Sequence, residues 1–168
     1  MKPTVSVIMP VFNQEKYVAA TIESVLSQTF TDYEFIILDD GSTDNSAQII
    51  REYAYRGSKI IPIFSENKGR SAATNNAVAL ATSDWCLFLD SDDTMLPDRI
   101  DKQLSFHLAH PEVDASSSHV HYVDEKGNNF GTSNYPYLKS VKECIKTRIS
   151  KKIVTHWFPV LVINKSVI

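Results

Sequence analysis

Short apolar runs alternate with stretches of helical period through the first two thirds of the chain. Val5-Ser6-Val7-Ile8-Met9 is nearly all apolar and stops at Pro10. Phe35-Ile36-Ile37-Leu38 stops at Asp39-Asp40-Gly41, Ile60-Ile61-Pro62-Ile63-Phe64 near Glu66-Asn67, and Trp85-Cys86-Leu87-Phe88-Leu89 at Asp90. Such runs, rich in β-branched and aromatic residues and ended by polar turn residues, predict buried parallel strands. Between them, Val18, Ile22, Val25 and Leu26 recur on one helical face. Ile49, Ile50 and Tyr53 form a second stripe behind Ser42-Thr43-Asp44-Asn45, which is rich in N-cap types. Ala72, Ala73, Ala77 and Leu80 form a third, opened by Gly69. Ile100, Leu104 and Leu108 form a fourth, with Pro97 suited to the first turn. Strand–helix alternation of this kind predicts an α/β domain, a mainly parallel sheet flanked by helices. After about Pro111 the pattern loosens. Val113 to Val123 and Ile153 to Ile163 predict strands of a mixed C-terminal region, with a turn at Lys126-Gly127-Asn128. Pro159 favours an edge strand or a strand start there.

Composition narrows the function classes. The 168 residues suit one domain, and 43% hydrophobic residues are enough to fill a core. A net charge of −3 excludes a basic nucleic-acid footprint. The two cysteines, Cys86 in an apolar run and Cys144 in a Lys/Glu-rich stretch, exclude a disulfide framework or a zinc site. No apolar run approaches the ~20 residues of a transmembrane segment. Without a signal-peptide pattern at the start, the expected compartment is the cytoplasm, including its periphery at the inner face of the membrane.

Chemistry is expected at the carboxyl ends of the strands, where open α/β sheets bind ligands. Those ends carry Pro10-Val11-Phe12-Asn13, Asp39-Asp40-Gly41-Ser42 and Asp90-Ser91-Asp92-Asp93. Alternate residues on a strand share a face, so Asp90 and Asp92 point into one space, where a hard cation, Mg²⁺ or Mn²⁺, can sit between or beside them. The alternative is a solvated acidic loop that caps the next helix. Asp40 can accept a hydrogen bond from ribose or base, or simply belong to an Asp-Gly turn. Phe12 can stack on a base or fill the core. Arg70, at the start of the third helix, can meet an anion or sit on the surface. A dinucleotide site is excluded because the first turn has no glycine, and no G-x-x-x-x-G-K sequence exists for a P-loop.

The sequence from Val5 to Asn13 resembles the opening of the family-2 glycosyltransferases, enzymes of the GT-A fold. The resemblance continues through Ser24 to Phe30, Ile37 to Asp44, Glu66-Asn67-Lys68-Gly69 and Asn75-Asn76-Ala77. It culminates in Leu89-Asp90-Ser91-Asp92-Asp93 and Pro97-Asp98-Arg99. These blocks lie in family order over roughly residues 4 to 110. They imply an inverting transferase that takes a nucleotide-diphospho-sugar, usually UDP-linked, with Mn²⁺ or Mg²⁺. The acceptor would be a saccharide, a lipid-linked group or a protein, in cell-surface polysaccharide or glycoconjugate synthesis. Position by position, Pro10 and Phe12 match the nucleobase turn, with Phe12 in place of the commoner tyrosine. Asp40 matches the acid that bonds uracil, and Arg70 a basic position near the nucleotide. Asp90, Ser91 and Asp92 match the D-x-D motif, with Asp92 the direct metal ligand and Asp90 beside it. Asn75 and Asn76 match helix residues of structural role.

On this reading residues 1–110 form the nucleotide-sugar half of one domain, and 111–168 begin an acceptor-side region that continues beyond this chain. The family's general base is an acid well past the D-x-D, whereas no acidic residue follows Glu143. The base is therefore expected beyond Ile168, outside this chain. His156 is a weak candidate within it, among His107, His110, His119, His121 and His156. Two rivals remain. One is a nucleotide-sugar-binding module without turnover. The other is a haloacid-dehalogenase-type phosphatase, because Leu87 to Thr94 fits its h-h-h-D-x-D-x-T motif. That motif belongs on a first strand, and here it sits on the fourth.

Overall fold

The computed structural model describes residues 2–57, 59–124, 126–133 and 161–165. Strands β1 (Val5–Val11), β2 (Tyr33–Asp39), β3 (Ile60–Phe64) and β4 (Trp85–Phe88) alternate with helices α1 (Val18–Leu26), α2 (Ser46–Arg56) and α3 (Arg70–Leu80). Helix α4 (Arg99–Ala109) follows β4. The strands lie parallel in the order β3-β2-β1-β4, with Val7 opposite both Phe35 and Leu87. Both faces of this sheet are covered, which is why its strands read as continuous apolar runs. Val7, Met9, Phe35, Ile37 and Leu87 pack with Val18, Ile22, Ile50, Ile100 and Leu104 of α1, α2 and α4. Ile8, Ile36, Leu38 and Cys86 point the other way, onto Ala73 and Ala77 of α3. The small alanine face lets α3 lie close to the sheet.

The sheet does not end at β4. Strand β8 (Leu161–Asn164) pairs antiparallel with β4, and β5 (Ala115–Ser117) pairs antiparallel with β8. Pro159 itself lies outside the described residues, and β8 lies inside the sheet and not at its edge. The single strand expected over Val113 to Val123 is two. β5 belongs to the main sheet, whereas β6 (His121–Val123) forms a separate hairpin with β7 (Asn129–Thr132). Ser116-Ser117-Ser118 has no apolar alternation to hold one continuous register. Residues 153–160 of the other expected strand lie outside the described residues. No helix among the described residues is long and apolar enough to cross a membrane.

The helical stripes are narrower than expected. Leu26, Leu80 and Leu108 end their stripes on the solvent side. In α4 the buried face runs Ile100, Gln103, Leu104 and His107, so His107 replaces Leu108 as the last inward position. The His107 ring leans on Trp85 at 4.4 Å between centroids. Its Nδ1 donates to the Val113 carbonyl at 3.1 Å, and Nε2 accepts from the Ser116 hydroxyl at 2.8 Å. One ring proton satisfies both bonds, and burial pushes the imidazole pKa down, toward that neutral form. His107 is thus the polar pin between α4, β4 and β5.

The shifted stripe has a direct consequence. Leu104→Ala should cost about 2–5 kcal/mol in urea unfolding, as for a core leucine. Leu108→Ala should stay within about 0.5 kcal/mol.

Candidate functional site

The chain order creates the site. From β1 the sheet grows outward through β2 to β3, and α3 then carries the chain back across to β4, on the other side of β1. The loops leaving β1 and β4 therefore diverge, the place where a crevice opens at the carboxyl edge of such sheets. A cavity of ≈ 420 Å³ lies there. Pro10, Phe12, Asp40, Arg70, Asp90, Ser91 and Asp92 all line it, so residues separated by up to 82 positions in sequence come together (92 − 10). Gln14, which no motif marked, also lines it, as does Asn67, which the resemblance included without a role.

Asp40 is buried at the end of β2. Its Oδ1 accepts from the Lys68 amide and its Oδ2 from the Gly69 amide, both at 2.9 Å. The anion at the start of α3 is thus the protein's own carboxylate, satisfied by N–H groups that have no partner within the helix. The close approach requires glycine next door. Gly41 has φ +73°, and a Cβ there would lie 2.7 Å from the Asn67 nitrogen. The neighbouring Asp39 carboxylate stays behind, accepting from the Ser42 amide at 3.2 Å.

Asp90 to Asp93 are not a continuation of β4, which ends at Phe88. They form a turn closed by the Asp93 amide on the Asp90 carbonyl at 3.1 Å. Asp90 and Asp92 reach one cavity because the turn curls around it. Helix α1 holds the turn from behind: Thr21 donates to the Ser91 carbonyl at 3.0 Å, and the Met95 amide donates to the Ser24 hydroxyl at 3.1 Å. Arg70 ion-pairs with Asp90. Burial pushes the Asp90 carboxyl up, Arg70 opposes the shift and Asp92 adds to it. Burial, with Asp90 and Asp92, pushes Asp93 up to about 6. Arg99 is buried beside it, with its Nε on Gln103 Oε1 at 3.0 Å, and it favours the Asp93 carboxylate.

Phe12 is 45% exposed, so it is not a core aromatic. It leaves β1 just before Asn13, which has φ +53°. Asn75 and Asn76 are exposed on α3 and away from the cavity lining. His107 is structural, and His110 faces Glu112 at 3.3 Å. His121 sits on the β6–β7 hairpin. His119 lies between β5 and β6 rather than alternating with His121 on one strand. Glu143, His156 and Ile168, the residue past which the general base is expected, lie outside the described residues. None of the histidines that are described lines the cavity, so the described part of the chain supplies no imidazole base to it.

A divalent ion would find the carboxylates of Asp90 and Asp92 here, and no group of three or more His, Cys, Asp or Glu among the described residues is arranged to hold a metal by itself. That donor set fits Mg²⁺ or Mn²⁺, which take one or two carboxylates and complete their shell with water and substrate phosphate.

The model of the family described as glycosyl transferase family 2 matches residues 6–164. The chain is similar to an uncharacterized glycosyltransferase of Methanocaldococcus jannaschii, with 37% identity over 155 residues, covering 89% of this chain and 53% of that protein. It is similar to chondroitin synthase of Escherichia coli, with 40% identity, covering 93% of this chain and 22% of that protein. It is also similar to a putative teichuronic acid biosynthesis glycosyltransferase of Bacillus subtilis, with 41% identity, covering 64% and 43%. The chain spans about half the length, or less, of these curated relatives. Among solved structures, Staphylococcus aureus TarS 1–349 in complex with UDP-GlcNAc superposes with a TM-score of 0.61 at 26% identity, over 73% of this chain and 37% of that one. A mannosyltransferase of Pyrobaculum calidifontis, in complex with GDP-Man and Mn²⁺, shares the fold at a TM-score of 0.63 and 24% identity, over 70% and 35%.

The crowded turn has a pH signature. Asp93 holds its proton up to about 6 when folded, against an ordinary 3.8. The protonated form therefore contributes stability below pH ~4 that is lost as pH rises through about 6. In chelator, Asp93→Asn should abolish that loss and gain about 1–2 kcal/mol at pH 7 in urea unfolding, allowing for solvent screening.

Proposed function

The chain belongs to glycosyl transferase family 2 and has the GT-A fold, and we propose that it carries the donor side of an inverting sugar transfer. The donor is a UDP-sugar in preference to other nucleoside-diphosphate sugars, and the cofactor is Mn²⁺ or Mg²⁺. The observation that carries this reading is a convergence. One cavity at the switch point holds a fixed acceptor carboxylate, an exposed ring and a pair of acidic side chains beside an arginine.

Each group has a distinct task. With both oxygens already accepting backbone N–H bonds, Asp40 offers a base only further lone pairs. It therefore selects an N–H edge such as that of uracil. Phe12 offers a flat, exposed face for stacking, with Pro10 completing the wall. Asp92 is the exposed carboxylate of the turn and the direct metal ligand, with Asp90 and Ser91 beside it. A bound divalent ion supplies Lewis-acid stabilisation of the departing diphosphate. Arg70 places a second positive charge at the same edge, where the negative charge of the leaving group grows. The acceptor hydroxyl attacks the anomeric carbon from the face opposite the diphosphate as a base removes its proton. That direct displacement inverts the centre.

The relatives named for chondroitin and teichuronic acid support a polysaccharide or glycoconjugate product. TarS with UDP-GlcNAc supports a uridine nucleotide. Family membership, and the position of the D-x-D after the fourth strand, leave the phosphatase reading without support.

Calorimetry separates the roles. UDP should bind more tightly with Mn²⁺ than without it, and Asp92→Ala should remove that difference. An unchanged Mn²⁺ response would defeat the metal assignment. Asp40→Asn should weaken UDP by about 1.5–3 kcal/mol, the range for a hydrogen bond involving a charged group. Binding of pyrophosphate with Mn²⁺ should hardly change. Equal weakening of both ligands would show that Asp40 is not a nucleoside contact.

A further inference from the structure

We propose that Asn13 is a positioning residue, locking the loop that carries Phe12 onto the loop that carries Asp40 so that the two base-facing groups move as one body. The inference deepens the proposed nucleotide site and rests on that reading.

Among the described residues, Asn13 is the non-glycine residue with a positive φ, +53°. Asparagine is enriched in this left-handed region, yet the conformation persists only where its surroundings impose it. Here they do. The Asn13 amide donates to the Ser42 hydroxyl at 2.9 Å. Its side-chain Oδ1 accepts from the Thr43 amide at 2.8 Å and from the Thr43 hydroxyl at 3.3 Å. The next residues repeat the pattern. The Gln14 amide donates to Ser46 Oγ at 2.8 Å, and the Glu15 amide to Asp44 Oδ2 at 3.0 Å. Glu15 Oε2 in turn accepts from the Asn45 amide at 2.9 Å and from its side-chain nitrogen at 2.8 Å.

Most of these bonds join a side chain of one segment to the backbone of the other, in both directions, and two join side chains. They begin one residue after Phe12 and two residues after Asp40. The Asp40 amide also donates to the Val11 carbonyl at 2.8 Å, closing the seam on the other side of Phe12. An exposed ring on a two-residue bend would otherwise lose rotational freedom on binding a base, a cost that pre-organisation removes. Asn13 supplies the left-handed turn that aims the ring and the acceptor that fixes the turn.

The test is calorimetry of UDP with Mn²⁺, and of pyrophosphate with Mn²⁺, on the 168-residue chain. Asn13→Ala should weaken UDP by about tenfold, the scale of one or two hydrogen bonds, and leave pyrophosphate within twofold. Asn13→Asp, which keeps an acceptor and tolerates the turn, should recover most of the affinity. Asn13→Gly keeps the turn without the acceptor and should also lose UDP affinity, which covers the case in which the alanine variant does not fold. In a Phe12→Ala background, Asn13→Gly should change UDP binding by less than twofold, because Asn13 acts through the ring. Additive effects in that background, parallel loss of pyrophosphate, or wild-type UDP affinity in both Asn13→Ala and Asn13→Gly would overturn the proposal alone. A wild-type chain that binds no UDP would overturn the nucleotide site itself, and this inference with it.

Discussion

A buried carboxylate must be matched by donors, because leaving such a charge unpaired costs several kcal/mol. Asp40 meets that demand with the amides of Lys68 and Gly69. Much of the site follows from this one pairing. It fixes where α3 begins relative to the end of β2, and it brings Asn67 so close that residue 41 has to be glycine. With the start of α3 fixed and its alanine face set against the sheet, Arg70 projects to the mouth of β4, where it meets Asp90. The Asp40 side and the Asp90 side of the cavity are thereby tied to the same helix terminus.

The opposite wall is an electrostatic problem kept within bounds. Asp90, Asp92 and Asp93 crowd one turn, and two of them are pushed toward protonation. Arg70 on the open side and the buried Arg99 behind both favour the charged forms. Thr21 and Ser24 of α1 hold the backbone of the turn, so the carboxylates cannot relax by splaying apart. Such a turn remains receptive to a cation, which would relieve the repulsion that the arginines only partly offset.

The parallel core is legible in the sequence because each strand is buried on both faces and bounded by turn residues, as at Phe35 to Asp40. The cavity-lining residues of the three strand ends are legible too, since chain topology alone brings such ends to one edge. The acidic turn is legible in its residues but not in its geometry. A D-x-D directly after an apolar run mimics strand alternation, and the turn that actually unites Asp90 with Asp92 depends on bonds from α1. Hydrophobicity favours Leu108 over His107 as the inward residue, and hides a histidine whose two nitrogens are both satisfied inside. Beyond Pro111 the serine-rich segment carries no period, so the split between β5 and β6 leaves no trace. Asn13 stands out in the sequence only through resemblance. Its positive φ is a property of the folded loop pair, and its partners lie about thirty residues away.

A nucleoside diphosphate and a divalent ion should bind together at the diverging ends of β1 and β4, and amide-resolved NMR of the ¹⁵N-labelled chain measures this without relying on turnover. Addition of UDP with Mg²⁺ should shift the amides of Phe12, Asn13, Asp40 and Gly69. Substituting Mn²⁺ should broaden those of Ser91 and Asp92 most strongly, and more with UDP present than without it. Shifts confined to the β6–β7 hairpin, or broadening that leaves Ser91 and Asp92 sharp, would contradict the account.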